Sequence, residues 1–177
     1  MIIFNNIDEI LIIIDFILKE KFLYIEYNNF IISHKGEKKM NKQEIFQLMN
    51  ENPAFHLATI DNDQPRVRGM LLFRADEDGI IFHTSDIKDV FDQIMKNPKV
   101  ELCFNGKGKQ VRVSGVLELV EDKKLVEEIY NHPSRQFLRN WKEQGADCAL
   151  KIFKLKNGKA VVWSLQTNFD KKQPIQL

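Results

Sequence analysis

From Phe55 to Leu165 the chain repeats one pattern, a short apolar or alternating run followed by turn residues, and this rhythm directs it toward antiparallel hairpins. Phe55 to Ile60 reads as a strand, Asp61 to Pro65 as a turn, and Arg66 to Phe73 as the returning strand. Asp76 to Gly79 turns the chain again into a third strand, Ile80 to Thr84. Val100, Leu102 and Phe104 alternate, Asn105 to Lys109 form a glycine-rich turn, and Val111 to Val120 alternates once more, so a long hairpin is expected. Cys148 to Leu155 and Lys159 to Leu165 are predicted as two further strands joined by an Asn157-Gly158 turn. About six strands with few exposed edges imply a small closed antiparallel barrel decorated by helices.

The helices are marked by caps and by period. Asn41 with Glu44 has the form of a capping box, and Ile45, Leu48 and Met49 recur at helical spacing until Asn52-Pro53 stops them. From Asp86, the set Ile87, Val90, Phe91, Ile94 and Met95 predicts an amphipathic helix ending at Asn97-Pro98. Asp122 is placed to cap a helix carrying Leu125, Val126, Ile129 and Tyr130. Pro133 closes it before a further helix around Ser134 to Trp141.

Composition removes several functions. A chain of 177 residues with 44% hydrophobic residues can build one ordinary core, and a net charge of +1 lacks the basic surplus of a nucleic-acid binder. Cys103 and Cys148 are too few for a disulfide framework or thiolate metal site, which points to a reducing, cytoplasmic setting. The four histidines are scattered, and no metal site is expected.

Residues 1–39 differ from the rest: they lack Ala, Val, Thr, Pro and Arg altogether. Their apolar stretch, Ile10 to Leu18, is interrupted by Asp15 and too short for a membrane span, and no basic signal-peptide start precedes it. Lys35-Gly36-Glu37 can be encoded by a purine-rich ribosome-binding sequence lying just before Met40. The expectation is therefore an atypical extension over 1–39, either an untranslated leader with Met40 the true start or an N-terminal helical extension packing on the domain or on a partner, followed by a domain over 40–168 and a tail over 169–177. Peptides from before Met40 in mass spectra of the natural protein would contradict that start.

The stretch Ile80 to Lys88, I-I-F-H-T-S-D-I-K, carries the chemistry. A strand running through hydroxyl residues into a helix start offers unpaired N–H groups and a partial positive charge to an anion. Thr84 and Ser85 could add hydroxyl donors and Lys88 a charge. The alternative is that Ser85 or Asp86 caps the helix and Lys88 is a solvated surface lysine.

Three segments taken together, P-R-V-R-G-M-L-L-F from Pro65, I-F-H-T-S-D-I-K from Ile81 and K-Q-V-R-V-S-G from Lys109, closely resemble the pyridoxamine 5'-phosphate oxidase-like family of FMN-binding split barrels. The resemblance covers roughly Asn41 to Asn168. It implies a six-stranded antiparallel split β-barrel with flanking helices and an FMN cofactor. Arg68, Gly69 and Met70 match the strand lying along the flavin ring, and Arg66 shares a strand face with Arg68 and Met70 by alternation. Thr84, Ser85 and Lys88 match the phosphate turn, and His83 stands where the oxidase has an aromatic contact. Gln110 matches a glutamine that reaches the flavin from the neighbouring subunit, which implies a homodimer with its sites at the interface. Trp163, in W-S-L-Q-T-N, matches a tryptophan that touches FMN; a buried core position is its other reading.

The match then breaks. Phe169-Asp170-Lys171-Lys172-Gln173 stands where the oxidase has an Arg-Leu-His-Asp-Arg motif, and Phe73 replaces a lysine. The resemblance thus carries flavin binding without the classical oxidation of pyridoxamine phosphate. It implies an FMN-dependent oxidoreductase that passes hydride or electrons between a reduced nicotinamide or small-molecule donor and an acceptor, with Arg68 the candidate cation near the ring. The alternatives are a flavin- or haem-binding dimer for storage, sensing or delivery, and a deazaflavin cofactor. No residue is assigned as catalytic.

Overall fold

The computed structural model describes residues 18–26, 39–143 and 150–177. The chain divides into two units, Met1–Lys39 and Met40–Leu177. Residues 18–26 of the first unit are helical, and the Lys35 to Glu37 segment behind the expected start at Met40 lies outside the described residues.

In the second unit six strands close into an antiparallel barrel. They are β1 (Ala54–Asp61), β2 (Gln64–Asp76), β3 (Gly79–Ser85), β4 (Lys99–Gly106), β5 (Lys109–Val120) and β6 (Leu150–Ser164). They lie in the order β3-β2-β1-β4-β5-β6, and a β3–β6 pairing joins the two ends. Closure removes the exposed edges that such strands would otherwise present. A two-residue strand, β7 (Ile175–Gln176), pairs with β6 at Lys159 and Ala160, so the last residues return to the barrel wall.

Period-two alternation fills the interior. Phe55, Leu57, Leu102, Phe104, Val111 and Val113 are buried on one face of their strands, with their alternate neighbours outside. Phe55 stacks on Phe104 at 4.8 Å between ring centroids and meets Phe82 edge-on at 5.4 Å. Helix α1 (Lys42–Glu51) adds Ile45, Phe46, Leu48 and Met49 to this core. Its capping box is present: Asn41 Oδ1 accepts from the Glu44 N–H, and Glu44 Oε2 accepts from the Asn41 N–H.

Strand β3 is buried on both faces. Ile80 and Phe82 point into the barrel, whereas Ile81 packs outward with Ile152 against Leu125, Ile129 and Leu138. Those last three come from α3 (Lys123–Asn131) and α4 (Gln136–Glu143), linked by a 3-10 turn at Pro133–Arg135. Asp122 caps α3 by accepting from the N–H groups of Lys124 and Leu125. Two-sided burial explains why the I-I-F run is uniformly apolar where its neighbours alternate.

Two sequence expectations are corrected. The predicted Asn157-Gly158 hairpin is a bulge within the continuous strand β6: β5 pairs Ser114 with Lys159 and Val116 with Lys156, so Asn157 and Gly158 together oppose Gly115. Asn157 takes φ 51°, and a Cβ on Gly158 would sit 2.6 Å from Leu155 Cδ2 and 2.7 Å from Val113 Cγ1. The residue types that turn a hairpin also make a bulge, and here the partner strand continues on both sides. The second correction concerns the helix expected from Asp86, which starts at Asp89 as α2 (Asp89–Lys96) and leaves Ile87 in the preceding turn, 78% exposed. Cys148, the predicted start of the sixth strand, lies outside the described residues.

Candidate functional site

At its end β3 splits its side chains between two surroundings. Alternation puts Thr84 on the barrel face with Phe82, and puts His83 and Ser85 on the face toward α3 and α4. The chain then turns through Asp86 to Lys88 into α2, and a cavity of about 410 Å³ opens beside this turn. That volume is in the range of small-molecule sites.

The polar end of the cavity is formed by His83, Thr84, Ser85 and Lys88. Lys88 is the N-cap of α2, and no side chain caps that helix. Neither Ser85 nor Asp86 fills the role: Ser85 Oγ accepts from the Ile87 N–H at 3.3 Å, and its carbonyl accepts from the Lys88 N–H at 3.2 Å. The first turn of α2 therefore keeps N–H groups that an anion could take. Thr84 is 5% exposed, and its Oγ1 is buried with no hydrogen-bond partner among the described residues. A buried hydroxyl left without a partner costs about 1–3 kcal/mol, so a ligand oxygen at this position would relieve a real penalty. Asp89 and Asp92 in the first turn oppose an anion, while Lys151 lies 3.8 Å from Asp86 and offsets its charge.

The rest of the cavity is mostly apolar. Phe55, Met70 and Leu71 line it from the barrel, and Tyr130, Phe137 and Leu138 from the α3 and α4 side. Gly69 also lines it, and a Cβ built there meets nothing within 4 Å. Its bare backbone lets a flat ring approach the strand closely. An anion-accepting polar end and an apolar floor fit a phosphate-bearing aromatic ligand.

Of the residues named from sequence, Gly69, Met70, His83, Thr84, Ser85 and Lys88 meet at this cavity. Arg68 does not line it: its guanidinium donates to Thr59 Oγ1 and Gln93 Oε1, both at 2.7 Å, and so fastens β2 to β1 and α2. Arg66 is exposed and reaches Asp61 at 3.4 Å. Gln110 donates to Asn105 Oδ1 at 3.3 Å, and Asn105 lines the cavity. Trp163 lies opposite Gln110 across β5 and β6, is half-buried, and donates to Asn168 Oδ1 at 2.9 Å.

Sequence reasoning missed Arg135. It is 2% exposed, and its Nε–H donates to His83 Nε2 at 3.1 Å while Nη2 donates to the Leu72 carbonyl. No periodicity or motif marks a buried arginine in a turn. Burial, then the Arg135 and Lys88 charges, pushes the His83 imidazole down to about 4 from the ordinary 6.5. Between those values the unfolded chain takes up a proton that the folded one refuses. Stability contributed by His83 is thus fully present above about pH 6.5 and is lost as pH falls toward 4. His83→Gln should flatten that part of the curve of urea-unfolding free energy against pH; an unchanged slope would contradict the assignment.

A closed split barrel with a cavity at the end of its third strand defines the class, and the comparisons define the family. The family model for pyridoxamine 5'-phosphate oxidase matches residues 42–162. The chain belongs to the pyridoxamine 5'-phosphate oxidase family. A pyridoxine/pyridoxamine 5'-phosphate oxidase from Pelagibacter ubique is 34% identical over 86 residues, 47% of this chain and 41% of that protein. One from Rhizobium meliloti is 32% identical over 107 residues, 59% of this chain and 50% of its own. The chain thus spans half or less of the length of these curated relatives.

Among solved structures, a NimC/NimA family protein from Clostridium acetobutylicum has TM-score 0.60 at 23% identity, covering 76% of this chain and 92% of that one. A pyridoxamine 5'-phosphate oxidase-related, FMN binding protein from Nostoc punctiforme has TM-score 0.53 at 15% identity, covering 80% and 99%. A FAD-binding protein from Mesorhizobium loti has TM-score 0.52 at 17% identity, covering 68% and 92%. At these identities the likeness is one of fold. Among the described residues no helix is long and apolar enough to cross a membrane, and no group of acidic, histidine or cysteine side chains is arranged for a metal.

Proposed function

We propose that this protein is a flavoprotein that binds FMN in the cavity beside β3 and acts as an oxidoreductase on a small molecule. The observation that carries the reading is the unpartnered, buried Thr84 hydroxyl beside the uncapped start of α2 and the Lys88 side chain. Hydroxyl, backbone N–H and ammonium groups together make a phosphate seat. The FMN-binding relative from Nostoc punctiforme and the FAD-binding one from Mesorhizobium loti, which share the fold, support a flavin.

The reading includes a homodimer. Gln110 and Trp163 form a cross-strand pair outside the cavity lining, and beyond them Leu165 is 72% and Phe169 94% exposed. A second chain covering this region would bury those apolar side chains and bring Gln110 and Trp163 to its own cavity.

FMN supplies hydride or electron transfer through its ring. Thr84, Ser85 and Lys88 would anchor the phosphate, and Gly69 and Met70 would support the ring. Phe137 and Leu138 would keep water from it, and His83 would offer a neutral hydrogen bond. Arg68, already bound to Thr59 and Gln93, is given no part in stabilising charge on the ring. The absorption spectrum of the purified protein tests the cofactor: flavin bands support FMN, a Soret band would replace it by haem, and no chromophore after incubation with FMN would reject the reading. Repeated turnover of NADH or NADPH with an added acceptor supports the enzyme; binding without turnover leaves a carrier or sensor.

A further inference from the structure

His83 meets the cavity on one side and a buried cation on the other. The Arg135 guanidinium is anchored by the Leu72 carbonyl, by Ser134 Oγ at 2.9 Å and by the Ser134 carbonyl at 3.3 Å. Ser134 is itself tied to the preceding turn through His132 Nδ1, 2.8 Å from its Oγ. The Phe73 ring lies 5.9 Å from Arg135 Cζ, and among the described residues no carboxylate pairs with this guanidinium. Every hydrogen-bond partner of Arg135 among the described residues is therefore a neutral acceptor, and the His83 Nε2 lone pair is one of them.

An arginine keeps its proton in any ordinary solution, so its Nε–H is an obligate donor and His83 Nε2 an obligate acceptor. In a neutral imidazole the single proton must then sit on Nδ1, which makes no hydrogen bond among the described residues. Protonating the ring would set one N–H against another and place a second cation beside Arg135, with Lys88 also opposing it.

We propose that Arg135 is a positioning residue that locks His83 as the neutral Nδ1–H tautomer. The cavity then offers its ligand a permanent hydrogen-bond donor at this point. A carbonyl-type oxygen or an unprotonated ring nitrogen suits it, and an ammonium group is repelled by Arg135 and Lys88. This rests on the cavity being a ligand site and not on the ligand being FMN.

The test is imidazole nitrogen NMR on the full chain labelled with 15N-histidine and followed from pH 8 to 5. His83 should show a protonated Nδ1 and an unprotonated Nε2 throughout. Arg135→Lys, which keeps a cationic donor, should preserve the pattern. Arg135→Leu should shift the His83 titration upward, with burial still holding it below its ordinary value of about 6.5, and should let the ring populate the Nε2–H form. A wild-type proton on Nε2, or a wild-type titration near that ordinary value, overturns the proposal, and both are read without Arg135→Leu should that variant fail to fold. Because no ligand is needed, a failure here is separate from a failure to bind flavin.

Discussion

Lys88→Ala should weaken FMN binding by about tenfold at low salt, the effect of one charge-assisted contact to a phosphate at an exposed rim, and the loss should shrink as salt screens the wild-type contact. Lys88 is exposed and makes no ion pair among the described residues, so folding should be unaffected. Thr84→Val separates binding from stability more sharply. The substitution keeps the shape and removes a buried hydroxyl without a partner, so the ligand-free protein should be as stable as the wild type or more so, while FMN binds more weakly. Fluorescence titration with FMN and a urea melt measure the two effects. If both variants keep wild-type FMN affinity, the phosphate does not sit at the start of α2.

The largest stability effect is expected at the centre of the barrel. Phe104 is fully buried and stacked on Phe55, which also meets Phe82. Phe104→Ala removes a ring from a site closed by strands on all sides and should cost about 3–5 kcal/mol, transfer and cavity terms together. Against a typical domain stability of about 5–15 kcal/mol, that leaves a marginal protein. A urea midpoint within experimental scatter of the wild type would mean that this interior is not packed as described.

Much of this architecture was legible because β-strands write their burial into the sequence every second residue. Val100, Leu102 and Phe104 announce their inward face, and the hairpins follow from the turns between such runs. Asn157-Gly158 misled because local turn chemistry is shared by hairpins and bulges, and only the pairing of β5 with both halves of β6 separates them. Ile87 misled in another way: it continues the helical period of Val90, Phe91 and Ile94, but the helix begins after Lys88. Periodicity reports faces and not caps.

The candidate site divides along the same line. Thr84, Ser85 and Lys88 lie within five residues, so local order places them together at the end of β3. The family resemblance implies Arg68 as a ligand-facing cation, yet its guanidinium turns to Gln93 on α2, a contact between elements that no strand pattern encodes. Arg135 reaches His83 across 52 residues of sequence, and Tyr130, Phe137 and Leu138 join the cavity only because α3 and α4 pack on the outer face of β3. Such long-range meetings are products of closure.

The central claim, that the cavity seats a flavin by its phosphate, is tested most directly by titrating the purified protein with FMN and, separately, with riboflavin, which lacks the phosphate. FMN should bind one per chain and at least about tenfold more tightly, the contribution of charge-assisted contacts at the start of α2. Equal affinity for the two, or no binding of FMN, would contradict it.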